Sequence, residues 1–222
     1  MSISPLVNVT IISPHKNSPR KMPVDRITPH CVVGQATARE IGEWFADTDT
    51  KASSNYGIGY DGQIGLYVDE NDRSWCSSSG DNDHRAITIE IASDTTHPYA
   101  MREKAYGAFL DLATEICKRH GKNRLIWISD KSKALAYVPK TGEMLLTVHR
   151  WFANKECPGD WLYSRLGAVA EEVTKRLNPE KKTLYRVQVG AFENKANAEN
   201  FLTSVKNAGY ADAFIVKAEV DV

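Results

Sequence analysis

The chain has 222 residues, 42% of them hydrophobic and 25% charged, with 28 basic side chains against 28 acidic ones. That length holds one domain of common size and leaves roughly 40 to 50 residues for an accessory unit. The composition argues against disorder, and zero formal charge gives no broad basic field for nucleic acid to bind.

In chain order, "LVNVTIIS" (6–13) is β-branched and short and reads as a strand, followed by a polar loop punctuated by prolines. "RITPHCVVG" (26–34) is strand-like around His30, and "ATAREIGEWFAD" (36–47) carries Ile41, Trp44 and Phe45 at helical spacing. "NYGIGYDGQIGLYVDE" (55–70) places two β runs around Asp61-Gly62, a hairpin signal because the turn needs positive φ. "SSSGDND" (77–83) reads as a loop and "RAITIEIAS" (85–93) as a strand. "YAMREKAYGAFLDLATEICKRHG" (99–121) is a helix with Gly121 as its stop. "RLIWIS" (124–129) is a short strand, a long irregular segment runs to "LLTVHRWF", and "PGDWLYSRLGAVAEEVTKRLN" (158–178) is a second long helix.

This order predicts an α/β fold: a central mixed β-sheet covered by helices, ending near residue 178. "PEKKT" (179–183) reads as a linker. Residues 184–222 then read as a small strand–helix–strand unit, too short for a self-sufficient core.

No apolar run approaches the roughly 20 residues that cross a bilayer, so no membrane partner is expected. The opening "MSISPLVNVTIISPHK" has no basic n-region and carries Pro5. It reads as a strand entering a loop rather than a secretory signal, and synthesis in the cytoplasm is the expectation. The 4 cysteines are too few for a disulfide framework in a chain of this length. Cys117 sits in a helical stretch as a small buried side chain, and Cys31 and Cys76 have no spacing signature.

Cys157 is different. "TVHRWFANKECPGDW" (147–161) sets His149, Lys155 and Cys157 close together before a helix start. The stretch could hold a metal, activate a nucleophilic sulfur, or be a loop ending in a buried cysteine. Imidazole and thiolate suit zinc, and three protein ligands would leave a corner open for water. On the residues alone, His30 is either a core histidine or the third ligand.

"ITPHCVV", "SSNYGIGYDGQI", "AITIEIAS" and "HRWFANKECPG", in this order and at this separation, resemble the zinc-dependent N-acetylmuramoyl-L-alanine amidases of the amidase-2 type. That family includes phage endolysins, bacterial autolysins and peptidoglycan recognition proteins, and the resemblance spans roughly residues 5 to 177. It implies a peptidoglycan hydrolase in which His30, His149 and Cys157 hold Zn2+. It also implies that Lys155 stabilises charge on the substrate carbonyl, with Tyr56 or Glu90 as proton acceptor. The bond cut would join the lactyl group of N-acetylmuramic acid to L-alanine of the stem peptide. The enzyme would reach the wall after release or host lysis, as a lysin or autolysin.

"YRVQVGAF", "NAENFLTSVKNAGY" and "AFIV" resemble one half of a sporulation-related (SPOR) peptidoglycan-binding repeat. This implies a cell-wall-binding unit, or a homodimer in which two chains each lend a half. Two other readings stay open: a cysteine hydrolase using Cys157 and His149, and a peptidoglycan-binding protein without catalysis.

Overall fold

The computed structural model describes residues 3–180 and 187–218. The chain forms two compact units, Met1–Pro179 and Glu180–Val222. The first contains β1 (Val9–Thr10), β2 (Lys16–Asn17), β3 (Arg26–Cys31), α1 (Ala38–Ala46), β4 (Tyr56–Ile58), β5 (Ile64–Leu66) and β6 (Arg73–Ser74). It continues with α2 (Gly80–Asp83), β7 (Ala86–Ile91), α3 (Glu103–Arg119), β8 (Arg124–Ile126), α4 (Lys131–Ala136) and β9 (Glu143–Leu146). A 3₁₀ turn (His149–Trp151), α5 (Asp160–Tyr163) and α6 (Leu166–Leu177) complete it.

The main sheet has seven strands in the order β1-β5-β4-β7-β3-β9-β8. Only the β4–β5 hairpin is antiparallel; every other pair in this sheet runs parallel. Gly62 closes that hairpin at φ +88°, a conformation that costs glycine little. β2 and β6 form a separate antiparallel pair.

The alternation in the two central strands decides what each face of the sheet becomes. In β3 and β7, Ile27, Cys31, Ile87, Ile89 and Ile91 enter the main hydrophobic core. There they join Phe109, Leu112, Ala113 and Ile116 of α3 and Val169 and Val173 of α6. The intervening residues Thr28, His30, Thr88 and Glu90 lie on the other face, because successive side chains of a strand point to opposite sides. Registered neighbours share a face, so His30, Glu90 and Gly57 stand side by side across three strands.

α1 begins with a reciprocal cap: Thr37 Oγ1 accepts from the Glu40 N–H, and Glu40 accepts from the Thr37 N–H. Its Ile41 and Phe45 pack on Tyr67. The Tyr67 ring packs against Gly57 of β4 and Gly65 of β5, where a Cβ on Gly57 would come within 2.4 Å of it. Glycine at 57 and 65 is what allows that approach.

Several expectations need correction. The first strand is formed only at Val9–Thr10. Trp44 is 54% exposed, since the buried stripe of α1 runs through Ala38, Ile41, Gly42 and Phe45. The loop 77–83 contains the turn α2, and the irregular stretch after β8 contains α4 and β9. The helix expected over 158–178 is two, α5 and α6, parted at Ser164-Arg165.

In the second unit, α7 (Lys195–Asn207) forms with Asn194 as its cap, accepting from the Ala196 N–H. None of its residues is buried. No strand is formed at 187–194 or 208–218, among the described residues, although strands were expected on both sides. A strand needs a hydrogen-bonded neighbour, and one helix with two short flanks supplies little sheet to join. Residues 181–186, which hold most of the expected linker and the start of the first strand, lie outside the described residues, as do 219–222. Among the described residues no helix is long and apolar enough to cross a membrane.

Candidate metal centre

His30 sits near the end of β3, fully buried. His149 opens the 3₁₀ turn that follows β9, and β9 pairs with β3, so the sheet brings the two imidazoles to one place. Their ring centroids are 5.0 Å apart. The loop after the turn folds back, the Arg150 N–H donating to the Cys157 carbonyl at 3.1 Å, and this returns the thiol to the site. Cys157 Sγ stands 3.2 Å from His30 Nδ1. One donor atom from each of His30, His149 and Cys157 fits within a mutual distance of 4.8 Å. A soft, neutral-imidazole and thiol set of this kind fits zinc, whose bonds run about 2.0 to 2.3 Å.

The protonation of the two imidazoles agrees with ligation. Burial, reinforced by the neighbouring His149, holds His30 well below the ordinary histidine pKa. Burial and then the Lys155 ammonium lower His149. Both rings are thus neutral at pH 7, the form that donates a lone pair. Burial pushes the Cys157 thiol up, and nearby Cys31 and Glu90 add to this. A buried thiol without an adjacent cation is a poor nucleophile. The four-residue α5, capped by Gly159, starts beyond Cys157 rather than at it.

Glu90 lies next to His30, its Oε1 3.8 Å from His30 Nδ1. Burial raises its carboxyl to about 7. Its other oxygen, Oε2, is buried with no hydrogen-bond partner, as is His30 Nε2. Such buried, unpartnered atoms point to a ligand or water. Lys155 is exposed on the 149–157 loop. With His97, Tyr99, Arg150, Glu156 and Asp160 it lines a cavity of about 310 Å³.

Tyr56 is not brought to this site. It pairs with Ile89, one position out of step with Glu90, and so faces the hydrophobic core on the opposite side of the sheet. Its hydroxyl donates to Glu70 Oε1 at 2.6 Å. Arg119 and His120 bond the same carboxylate. The assignment of Tyr56 as proton acceptor is corrected on this ground: a one-residue step along a strand changes its face. Tyr67 lies on the site's side of β4, but its hydroxyl donates to the Ala38 carbonyl.

The sequence reading missed the loop 76–78. Cys76 Sγ lies 3.7 Å from Glu90 Oε1, and Ser78 Oγ lies 2.9 Å from His149 Nε2. The Cys76 and Ser77 N–H groups both donate to the Asp83 carboxylate. Asn82 ties Ser77 to Thr28 on β3 and to Thr147, two residues before His149. A run of small polar residues after a tryptophan carries no periodicity, and only the turn-forming character of "SSSG" hints at such a cradle.

The sequence profile of the N-acetylmuramoyl-L-alanine amidase family (Amidase_2) matches residues 20–160. That of the SPOR domain matches residues 160–217, beginning at α5 in the first structural unit. No curated protein matches the chain. Among solved structures, the catalytic domain of XlyA superposes with a TM-score of 0.55 at 18% identity, covering 75% of this chain and 99% of that one. The PlyG catalytic domain gives 0.56 at 16%, covering 81% and 100%. Drosophila peptidoglycan recognition protein SD gives 0.51 at 18%, covering 72% and 93%. At these identities the likeness is one of fold. The profile match covers more than half the chain and includes His30, Glu90, His149 and Cys157, and on that match the chain belongs to the N-acetylmuramoyl-L-alanine amidase family, Amidase_2.

Proposed function

We propose that the protein hydrolyses peptidoglycan at the amide between the lactyl group of N-acetylmuramic acid and L-alanine of the stem peptide, using zinc held by His30, His149 and Cys157. The observation that carries this reading is the convergence of those donors within 4.8 Å from two distant parts of the chain, strand β3 and the segment 149–157. When bound there, zinc supplies Lewis acidity toward the scissile carbonyl and lowers the pKa of water to about 7.

The chain's own groups do the rest. Glu90, unpaired at Oε2 and held near neutral pKa by burial, is suited to take a proton from the attacking water and pass it to the departing amine. Lys155 offsets negative charge developing on the carbonyl oxygen. With two neutral imidazoles and a single thiolate as ligands, a bound divalent ion would keep net positive charge toward the carbonyl, which favours the anionic transition state. The match to the SPOR profile supports a wall-binding role for the C-terminal unit, which concentrates the enzyme on its polymer. Self-association through that unit belongs to the same proposal: light scattering is expected to show a dimer that deletion of residues 180–222 abolishes.

Mass spectrometry of products from defined muropeptides tests the reaction. The expected result is a free L-alanine amino terminus and an intact N-acetylmuramic acid, lost on chelation and in Cys157→Ser. A new terminus elsewhere in the peptide overturns the bond assignment. Activity that survives complete metal removal overturns the metal and favours a thiol hydrolase. Tight wall binding with no new terminus overturns catalysis.

A further inference from the structure

One thiol beside the centre has no part in the proposed reaction. Cys76 Sγ stands 3.7 Å from Glu90 Oε1, and Glu90 Oε1 stands 3.8 Å from His30 Nδ1. One donor atom from each of His30, Cys76 and Glu90 fits within a mutual distance of 4.8 Å, as in the first trio. A sulfur and a carboxylate oxygen bound to one tetrahedral zinc would lie about 3.5 Å apart, given bonds of about 2.3 and 2.0 Å. The observed separation is close to that before any ion draws the donors in. Glu90 Oε2 is buried and unpartnered, and so is Nε2 of the fully buried His30. Glu90 thus brings a buried oxygen to this corner with no partner in the protein.

We propose that Cys76 and Glu90, with the His30 imidazole, form a second position for a thiophilic divalent ion, adjacent to the first and competing with it for His30. The competition follows from geometry: the same nitrogen, Nδ1, faces Cys157 Sγ at 3.2 Å and Glu90 Oε1 at 3.8 Å. An ion in the first position takes that nitrogen, leaving the second with a thiolate, a carboxylate and solvent. The second position is therefore the weaker. Binding there sends the Cys76 thiol proton, and any proton on Glu90, to solvent. It also removes the Glu90 carboxylate from proton transfer, so metal in excess inhibits the reaction that the first equivalent supports. The inference rests on the proposed first metal position.

The test is a titration of the metal-free full-length protein with Co2+, followed by the near-ultraviolet thiolate-to-cobalt band. Wild type, Cys76→Ser, Cys157→Ser and the double variant are compared, with circular dichroism as the check on folding. Wild type is expected to show two phases, each adding to the band. Cys76→Ser loses the second phase, Cys157→Ser keeps one weaker phase with a thiolate band, and the double variant loses the band. Cys31 and Cys117 remain in all four proteins, so a band persisting in the double variant assigns the signal to them and overturns the proposal. A single wild-type phase that vanishes in Cys157→Ser overturns the second position alone. A wild type that binds no cobalt removes both positions, and with them the metal reading of the function. The wild-type result stands whether or not a variant folds.

Discussion

Ser78 Oγ lies 2.9 Å from His149 Nε2, reaching across 71 positions of sequence to one ring nitrogen of the imidazole. An Nε2–H that donates to the hydroxyl fixes the tautomer in which Nδ1 is free to donate its lone pair. Ser78 adopts φ +60°, a strained conformation for a residue with a side chain. The strain is held by a loop anchored at Asp83, and it aims the hydroxyl at the ring.

Ser78→Gly isolates that contact, because glycine accepts the backbone angle while removing the hydroxyl. Metal affinity, measured by competition with a chromogenic chelator, is expected to fall by about 10- to 100-fold. The melting temperature of the metal-free protein should hold or rise. Unchanged affinity would show that the contact does not orient His149.

Tyr56→Phe separates a structural tyrosine from a catalytic one. It deletes the hydroxyl that bonds Glu70 on the core face of the sheet. A loss of about 1 to 3 kcal/mol in unfolding free energy is expected, because a partner of a buried charge is removed. Turnover of muropeptides by the folded variant should match wild type. A large drop in kcat at unchanged stability would return Tyr56 to the chemistry.

Glu70 gives the fold a pH dependence. Burial pushes its carboxyl up, but hydrogen bonds from His120, Arg119 and Tyr56 outweigh this and bring it to about 2, against an ordinary 4.5. A carboxyl with a lowered folded pKa contributes stability that is fully present above about 4.5 and lost as pH falls toward about 2. That difference corresponds to on the order of 3 kcal/mol. Chemical denaturation between pH 6 and pH 2 is expected to show a steeper loss of stability in wild type than in Glu70→Gln. Parallel curves would remove Glu70 as the source.

Lys155→Ala should reduce kcat on wall fragments by about 10- to 1,000-fold with little change in KM, as expected for a group acting on charge that develops in the transition state. Because the Lys155 ammonium lowers His149, its loss also lets the pKa of that imidazole rise in the metal-free protein. Histidine NMR titration reads this directly.

Gly57→Ala places a methyl where the Tyr67 ring already lies, 2.4 Å from the nearest ring atom. Overpacking of this kind costs about 1 to 3 kcal/mol or more. The strain falls on the strand that pairs with Glu90, so thermal stability and activity should drop together. A variant as stable as wild type would mean the ring has room to move.

"RITPHC" and "AITIEI" were legible as strands, but that His30 and Glu90 share one face follows from the β3–β7 register, which pairs strands about sixty residues apart. The His149–Lys155–Cys157 cluster was local enough to be read as one feature. Tyr56 was misread because its face depends on the register between β4 and β7, a pairing across more than thirty residues. Cys76 and Ser78 were invisible for a related reason. Their partners, Glu90 and His149, are met through a loop whose path is set by Asp83 and Asn82. The break between α5 and α6 was not legible because neither Ser164 nor Arg165, where it falls, is a glycine or proline.

Cys157 approaches His30 across 127 positions of chain. An ion joining them would act as a reversible staple between the early and late segments of the first unit, restricting the unfolded chain much as a long-range crosslink does. Sequestering the ion would then loosen the unit and expose it to proteolysis, making the protein's lifetime a function of the free metal around it.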